Sequence, residues 1–508
     1  MAGTMENPHV YKEGCTFKSL EDIRGKKITI MGLGLNGGGE ACVRFFLKHG
    51  ATVTVTDMKS AEQLSATINR LNADCTVDKS RLTYVLGQHR EEDFSSADCV
   101  IKNPGVKFEG NKFLSLAKAI ETDLSIFLYF TKAPVIAVTG SKGKSSTVSA
   151  IYYGLKNSGF KAFLGGNITV SPLTFLDQTD ESTPVVLELS SWQLRDLRGR
   201  KVLKPKISVI TKIVPDHQNF YGSMKLYVAD KKLIYADQTK SDYTILDADA
   251  DGYATECTSP KESCTCWGDE FASETNANVL RYSRKPLPQN TEGVYLDGEM
   301  GFASLGGKTE CLIKELAVPG NHIRANVLNA ALVMRLMGIS AESIKDTLSK
   351  WPGIEHRLEH FHDWKTAGGA VIHFYNDSAS TVPEAALAAA KSFDENKKLF
   401  LLTGGTDKEL DFTPLADFLE EEHKNLSLLT LSGTGTDKLI SLLNKKGIHT
   451  DLPSTSLEEL LSSLKQKIAT LAEDAIVVFS PGATSFGMFA NEFDRGTKFK
   501  AAVCELFA

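Results

Sequence analysis

At 508 residues the chain has room for three domains of ~150 residues each. Its 42% hydrophobic and 24% charged residues are those of a soluble globular protein, and a net charge of −6 argues against a general nucleic-acid or anionic-membrane binder. No apolar run approaches the ~20 residues needed to span a bilayer, Met1 to Lys18 carries no signal-like apolar core, and nine cysteines in so long a chain point to reduced thiols in a cytosol rather than a disulfide framework.

Lys27 to Met31 reads as a strand that runs into Gly32-Leu33-Gly34-Leu35-Asn36-Gly37, with a helix following to about His49. Ala51 to Thr56 is a second strand, and it ends at Asp57, 20 positions after Gly37. Glycines at a strand-to-helix turn with an acid downstream match the dinucleotide fingerprint. On these residues alone, bound NAD and a packing turn without ligand both remain open. A third strand, Ala97 to Lys102, ends in Asn103-Pro104-Gly105. Open α/β sheets bind ligands at such strand ends, so residues 1–131 are predicted to form a nucleotide-binding α/β domain.

The second unit, residues 132–355, opens on Val135-Ile136-Ala137-Val138-Thr139-Gly140-Ser141-Lys142-Gly143-Lys144-Ser145-Ser146. An apolar β-branched run, a Gly-containing turn and a helix-compatible stretch from Thr147 to Lys156 together make an anion site. Lys144 adds a charge for outer phosphates, and Ser145 or Ser146 is placed to ligate Mg²⁺. The loop is shortened, because the Gly of the full Walker pattern is replaced by Val138. Pro184 to Leu187 is a buried-type strand ending at Glu188, a carboxylate placed beside the loop to hold Mg²⁺. Ile207 to Ile210 leads to Pro215-Asp216-His217, and Lys231 lies in a helix-like run from Met224 to Ala236. His217 and Lys231 gain weight only from this company. Residues 241–316 read as mixed strand and turn, and Glu256 to Thr291, rich in Ser, Asn and Cys, reads as a tolerated insertion. Cys257, Cys264 and Cys266 have no His or fourth Cys at zinc-like spacing and fit that insertion better than a metal site.

The third unit, residues 356–508, has strands at Gly368 to Phe374, Lys398 to Leu402 and Ala475 to Phe479, separated by helical runs. They end in Asn376-Asp377-Ser378, Thr403-Gly404-Gly405-Thr406-Asp407-Lys408 and Ser480-Pro481-Gly482, again polar or Gly-rich loops at strand ends.

With these motifs in this order, the chain resembles the Mur ligase family of peptidoglycan synthesis over nearly its whole length. The resemblance rests on Thr139 to Ser145, Glu188-Leu189-Ser190-Ser191, Asp216-His217, Tyr227-x-x-x-Lys231, Gly320-x-His322-x-x-x-Asn326, His356-Arg357, Asn376-Asp377-Ser378 and Gly404-Gly405-x-Asp407-Lys408. Ser480 to Phe486, with Asp494-Arg495-Gly496, resembles the family's C-terminal amino-acid site. The resemblance implies an α/β protein of three domains: Rossmann-like at the N-terminus, P-loop ATPase-like in the centre, Rossmann-like at the C-terminus. They would take a UDP-linked substrate, ATP and an amino acid in turn. The implied activity is ATP-dependent joining of D-glutamate to UDP-N-acetylmuramoyl-L-alanine through an acyl phosphate, in the cytoplasm, by a monomer acting on small molecules without nucleic acid or membrane. ATP is expected with Mg²⁺, or Mn²⁺ in its place.

The resemblance also assigns residues. Gly140, Ser141, Lys142, Gly143, Lys144, Ser145 and Ser146 should surround the phosphates, Asn326 and Asn329 should lie near adenine, and Arg357 and Asp377 should touch phosphate and ribose. Ser145, Glu188, His217 and Lys231, the last as a carbamate, should hold metal; Lys144, Glu188, His217 and Lys231 carry the catalytic role. Gly34, Leu35, Asn36, Asp57 and Lys59 should hold the uridine end in place of NAD, with Asn167, Ser190 and Gln193 along the muramoyl arm. Lys408, Ser485, Phe486 and Thr381 should take the amino acid. The chain departs from the family pattern at Lys142, Thr169, Ile323 and Ala379. Competing readings are the L-alanine-adding ligase, a folylpolyglutamate synthetase without need of the first domain, and a non-catalytic nucleotide-binding regulatory module.

Overall fold

Strands buried on both faces need near-continuous apolar runs, and the N-terminal third supplies them. β1 (Lys27–Met31) runs into α1 (Gly38–Lys48), and β2 (Thr52–Asp57), β3 (Leu82–Leu86), β4 (Cys99–Lys102) and β5 (Ile120–Glu121) follow. All pair in parallel in the order β3-β2-β1-β4-β5, the order of a doubly wound dinucleotide-binding sheet lacking its sixth strand, with its switch point between β1 and β4. A Cβ on Gly39 would lie 2.3 Å from the Leu33 carbonyl, so only glycine lets α1 start this close to its strand. The computed structural model describes residues 11–168, 170–214, 216–249, 267–394, 396–408, 410–421, 425–485 and 487–508. Thr169, Cys257, Cys264, Cys266 and Phe486 lie outside the described residues.

The second sheet is built from β6 (Val135–Thr139) with α2 (Lys144–Asn157), β7 (Phe163–Gly166), β8 (Val185–Glu188) with α3 (Ser191–Asp196), β9 (Ile207–Ile210) with α4 (Met224–Lys231), and β10 (Tyr243–Asp247). Next come α5 (Trp267–Glu274), β11 (Asn278–Ser283), β12 (Gly293–Asp297), β13 (Met300–Leu305), β14 (Lys308–Ile313) and α6 (Asn321–Leu336). The order is β14-β13-β12-β11-β10-β9-β6-β8-β7, with all neighbours parallel except at one edge, where β13 runs antiparallel to both β12 and β14. The first two sheets share a buried cluster that includes Phe46, Phe127, Phe175, Leu187 and Leu194.

One expectation needs correction here. Residues 267–283, read as part of an insertion, form α5 and β11, and β11 pairs with both β10 and β12. Phe271, Leu280 and Tyr282 are buried. Their apolar spacing is diluted by exposed polar neighbours, which hid the element from pattern reading. Residues 256–266 lie outside the described residues.

The third sheet comprises β15 (Glu359–Lys365), β16 (Val371–Asn376), β17 (Lys398–Thr403), β18 (Leu426–Thr430) and, after α7 (Leu457–Ile468), β19 (Ala475–Phe479). α8 (Glu492–Leu506) closes the chain. The order is β15-β16-β19-β17-β18, with β15 antiparallel at the edge. Its core combines Phe374, Phe400, Phe479, Leu460, Leu464 and Phe499. The chain divides into two compact units, residues 1–313 with 325–345 and residues 314–324 with 346–508. Among the described residues no helix is long and apolar enough to cross a membrane.

Candidate active site

β6 lies between β8 and β9, so the loop after it emerges between paired strands and not at an edge of the second sheet. Gly140 (φ +147°) and Gly143 (φ +94°) hold backbone that side chains rarely adopt. A Cβ on Gly140 would lie 1.9 Å from Thr211 Oγ1, and that hydroxyl donates to the Thr139 carbonyl (3.1 Å) and the Lys142 carbonyl (2.7 Å). The Ser141 and Lys142 N–H groups both donate to the Lys212 carbonyl. The Ser141 hydroxyl donates to the Val214 carbonyl and accepts from Val214 N–H and the Tyr227 hydroxyl. Ser141 therefore anchors the loop to the chain after β9 and to α4. The donors aimed outward are those of the first turn of α2, from Lys144 through Ser146, which have no partner inside the helix. Lys144 Nζ folds over the turn to the carbonyls of Gly140 (3.0 Å) and Ser141 (3.1 Å). Lys142, a departure from the family pattern, extends outward to within 3.6 Å of Asp216.

Glu188 ends β8, only 2% exposed. Its Oε1 accepts from Asn167 Nδ2 (2.9 Å), and its carbonyl accepts from Asn167 N–H (2.9 Å). Its Oε2 is buried with no hydrogen-bond partner. Lys231, at the end of α4 and 1% exposed, donates from Nζ to the Gly140 carbonyl (2.8 Å) and sits 4.5 Å from the Tyr227 ring centroid. Burial, then the charge of Lys144, drives its ammonium well below the usual lysine range. The neutral amine that results is a nucleophile. Burial also pushes the Tyr227 phenol up to about 12, which keeps it a hydrogen-bond donor. His217, at φ +52°, packs its ring 5.3 Å from Trp192 and faces a cavity of about 240 Å³ lined also by Lys102, Lys107, Phe108 and Arg195. An unpaired, buried carboxylate oxygen is a fitting ligand for a hard divalent cation. Lys231 fits only with its amine converted to an anionic group.

On α6, Asn326 packs its amide against the loop: a Cβ on Gly143 would lie 2.3 Å from Asn326 Oδ1. One turn on, Asn329 is 1% exposed and its Oδ1 has no hydrogen-bond partner. In the first sheet, Asp57 accepts from the N–H groups of Gly34 (3.1 Å) and Lys59 (2.9 Å), fixing the Gly-rich turn while Leu35, Asn36 and Lys59 stay exposed. Ser190 and Gln193 engage each other as the capping box of α3.

In the second unit, Asp377 follows β16. It accepts from the Ser480 hydroxyl (2.6 Å) and the Leu358 N–H (3.1 Å), and burial raises its carboxyl to about 7. Arg357 is exposed and Thr381 half-buried. Thr406 and Thr484 exchange backbone hydrogen bonds, tying the loop that carries Lys408 to the loop that carries buried Ser485. Arg495, placed by resemblance in the amino-acid motif without a role of its own, is 1% exposed and donates to the carbonyls of Ala483 (3.0 Å), Ser378 (2.7 Å) and Ser380 (3.2 Å). It braces two strand-end loops, a task that its position in a helix did not signal. Thr211 and the Asn167–Glu188 pairing also escaped pattern reading, because they depend on residues distant in sequence.

Residues 138–334 match the Mur ligase middle domain and residues 26–127 the Mur ligase MurD-like N-terminal domain. The UDP-N-acetylmuramoylalanine–D-glutamate ligase of Treponema pallidum (strain Nichols) is 40% identical, with 96% of this chain and 98% of the relative covered. That of Borreliella burgdorferi (strain ZS7) is 37% identical, with 96% and 99% covered. Among solved structures, the UDP-N-acetylmuramate-alanine ligase of Thermotoga maritima aligns at TM-score 0.54 and 18% identity, over 95% of this chain and 100% of its own. The MurF ligase of the same organism, in complex with ADP, aligns at TM-score 0.50 and 15% identity, over 98% of each chain. At those identities the likeness is one of fold.

Proposed function

The chain belongs to the Mur ligase family, and we propose that it is an ATP-dependent ligase that joins D-glutamate to UDP-N-acetylmuramoyl-L-alanine in cytoplasmic peptidoglycan precursor synthesis, acting as a monomer. The observation that carries the chemistry is the convergence on one turn of Lys144 and Lys231, both bound to the Gly140 carbonyl, with the unpaired Glu188 oxygen in charge range of Lys231. The choice of D-glutamate is supported by the two full-length relatives. In this reading residues 1–131 take the uridine end, residues 132–355 ATP, and residues 356–508 the amino acid.

The substrate carboxylate attacks the γ-phosphorus of ATP, and ADP leaves. The D-glutamate amine then attacks the acyl phosphate carbon and loses a proton, and phosphate departs as the amide forms. Such a transfer needs positioning and charge neutralisation more than a protein nucleophile. Lys144 and the first-turn N–H groups of α2 hold the phosphates. Glu188, oriented by Asn167, with His217 and Ser145 would hold Mg²⁺, or Mn²⁺, which when bound neutralises phosphate charge. The free amine of Lys231 reacts with CO₂, forming an N–C bond and releasing a proton, and so presents an anion where a lysine would repel a cation. In this reading adenine is assigned to Asn326 and Asn329, phosphate and ribose to Arg357 and Asp377, and the amino acid to Lys408, Ser485 and Thr381, with Phe486 assigned by resemblance alone. Phosphate release dependent on UDP-N-acetylmuramoyl-L-alanine and D-glutamate tests the reading. Preference for L-alanine, or release indifferent to the amino acid, would overturn it.

A further inference from the structure

The outer edge of the third sheet carries a cluster that the ligase reaction does not use. β15 pairs with β16 antiparallel, with Asp363 opposite His373 and His360 opposite Tyr375, and the register shifts at a bulge between His360 and His362. Strict alternation would put positions 360 and 363 on opposite faces; the extra residue of the bulge turns both to the same one. Phe361 and Trp364 face the core on the other side. His360 Nε2 and His373 Nδ1 each lie 2.7 Å from the same oxygen, Asp363 Oδ1. The imidazoles are 26% and 29% exposed and the carboxylate 49%, so an ion from solvent can reach them and keep waters in its remaining positions.

We propose that His360, Asp363 and His373 form a binding site for a divalent transition-metal ion of the Zn²⁺ class, cross-linking the edge strand β15 to β16. Two imidazole nitrogens and one carboxylate oxygen suit Zn²⁺, Co²⁺ or Ni²⁺ and disfavour Mg²⁺ and Ca²⁺, which prefer all-oxygen shells. The three ligand atoms lie within 4.8 Å of one another. Tetrahedral Zn²⁺ with bonds of ~2.0–2.1 Å needs its ligands ~3.4 Å apart, so binding moves the exposed Asp363 oxygen back by ~0.7 Å from each imidazole nitrogen. The neighbouring group of Glu355, His356 and Glu359 offers a similar set, but Lys500 Nζ already lies 2.8 Å from each glutamate and fills the cation's place. Asp363 has its hydrogen-bond contacts with the two imidazoles instead. An edge strand with exposed backbone gains most from such a staple.

The full chain, carrying Glu188→Ala to silence the reaction centre and stripped of metal with a chelator, is titrated calorimetrically with ZnCl₂ in excess Mg²⁺. The site predicts one tight equivalent that disappears in His373→Ala and in Asp363→Ala, with affinity lowered ~100-fold or more, beyond the 10–100-fold of a merely supporting residue. Zn²⁺ should raise Tm in the parent and not in either variant. His360→Gln provides a second removal if one alanine variant fails to fold. The proposal is overturned if parent and folded variants bind Zn²⁺ with equal stoichiometry and affinity, or if the parent binds none in the micromolar range. Wild-type protein and His373→Ala should ligate equally well, since the cluster lies outside the reaction centre.

Discussion

At the scale of single residues, Lys231 is the most informative. A lysine with its amine on a backbone carbonyl inside the protein contributes little as a charge, and its neutral amine suits carbamate formation. Lys231→Ala should be nearly inactive, with short-chain carboxylates partly restoring turnover; a fully active variant would remove the role. Lys232, next in sequence, pairs with Glu270 and Glu274, so Lys232→Ala should leave kcat near normal. Lys144→Ala and Glu188→Ala should each lower amino-acid-dependent phosphate release by ~10²–10³ or more with Tm unchanged. Near-normal turnover in either would relocate the centre. Asp377 yields a prediction in pH. Its carboxyl titrates at about 7 when folded against 3.8 unfolded, so its stability contribution is full below pH 3.8 and lost as pH rises through 7. At ~1.4 kcal/mol per pKa unit the loss amounts to a few kcal/mol at most. Asp377→Asn should therefore melt above the wild type at pH 8, by a margin that shrinks towards pH 4, while losing ligation. A pH-independent margin would mean that Asp377 is not titrating in place.

At the scale of elements, the loop from Gly140 to Gly143 holds its shape because two glycines let Thr211, just past β9, and α6 close on it. Gly143 combines φ +94° with an Asn326 contact that leaves no space for a methyl group. Gly143→Ala should cost ~1–3 kcal/mol and most of the activity. Adding Asn326→Ala should relieve the clash but not the backbone strain, so thermal unfolding of the double variant should show partial recovery; full recovery would deny the strain. Elements with dense apolar runs, such as β1, β6, β8, β9, β17 and β19, were legible in the sequence because both faces are buried. β15 was not: Glu359 to Lys365 is half-exposed, rich in histidine and interrupted by a bulge, so it shows no clean period of two. β3, with only Val85 fully buried, failed for the same reason. The site followed a similar division. Lys144, Glu188 and Asp377 stand beside predicted strand ends, where pattern reading looks for ligand-binding groups. What the sequence concealed was mutual support: Thr211 beneath Gly140, Asn167 on Glu188, and Arg495 across three carbonyls.

At the scale of the whole molecule, the loop for phosphates lies in one compact unit, and Asp377, Lys408 and Ser485 lie in the other. On the proposed reading, changes within the second unit should alter substrate choice and leave phosphate handling in the first intact. Gly404 and Gly405, both at positive φ, let the β17 loop turn tightly, and the Thr406–Thr484 bridge fixes it to the Ser485 loop. An exposed cation and a buried residue with a hydroxyl thus stand on loops that cannot drift apart independently. D-glutamate carries a side-chain carboxylate that needs a cation, and L-alanine carries none. Lys408→Ala should raise the KM for D-glutamate roughly tenfold to over a hundredfold, the effect of losing a charge-assisted contact of ~1.5–3 kcal/mol, with little change in the KM for ATP. Steady-state phosphate release, with each substrate varied in turn, reads both constants. In the same assay the wild type should prefer D-glutamate to L-glutamate, L-alanine and diaminopimelate. An equal rise for ATP and D-glutamate would place Lys408 with the nucleotide, and the amino-acid cation would then have to be sought elsewhere in the second unit.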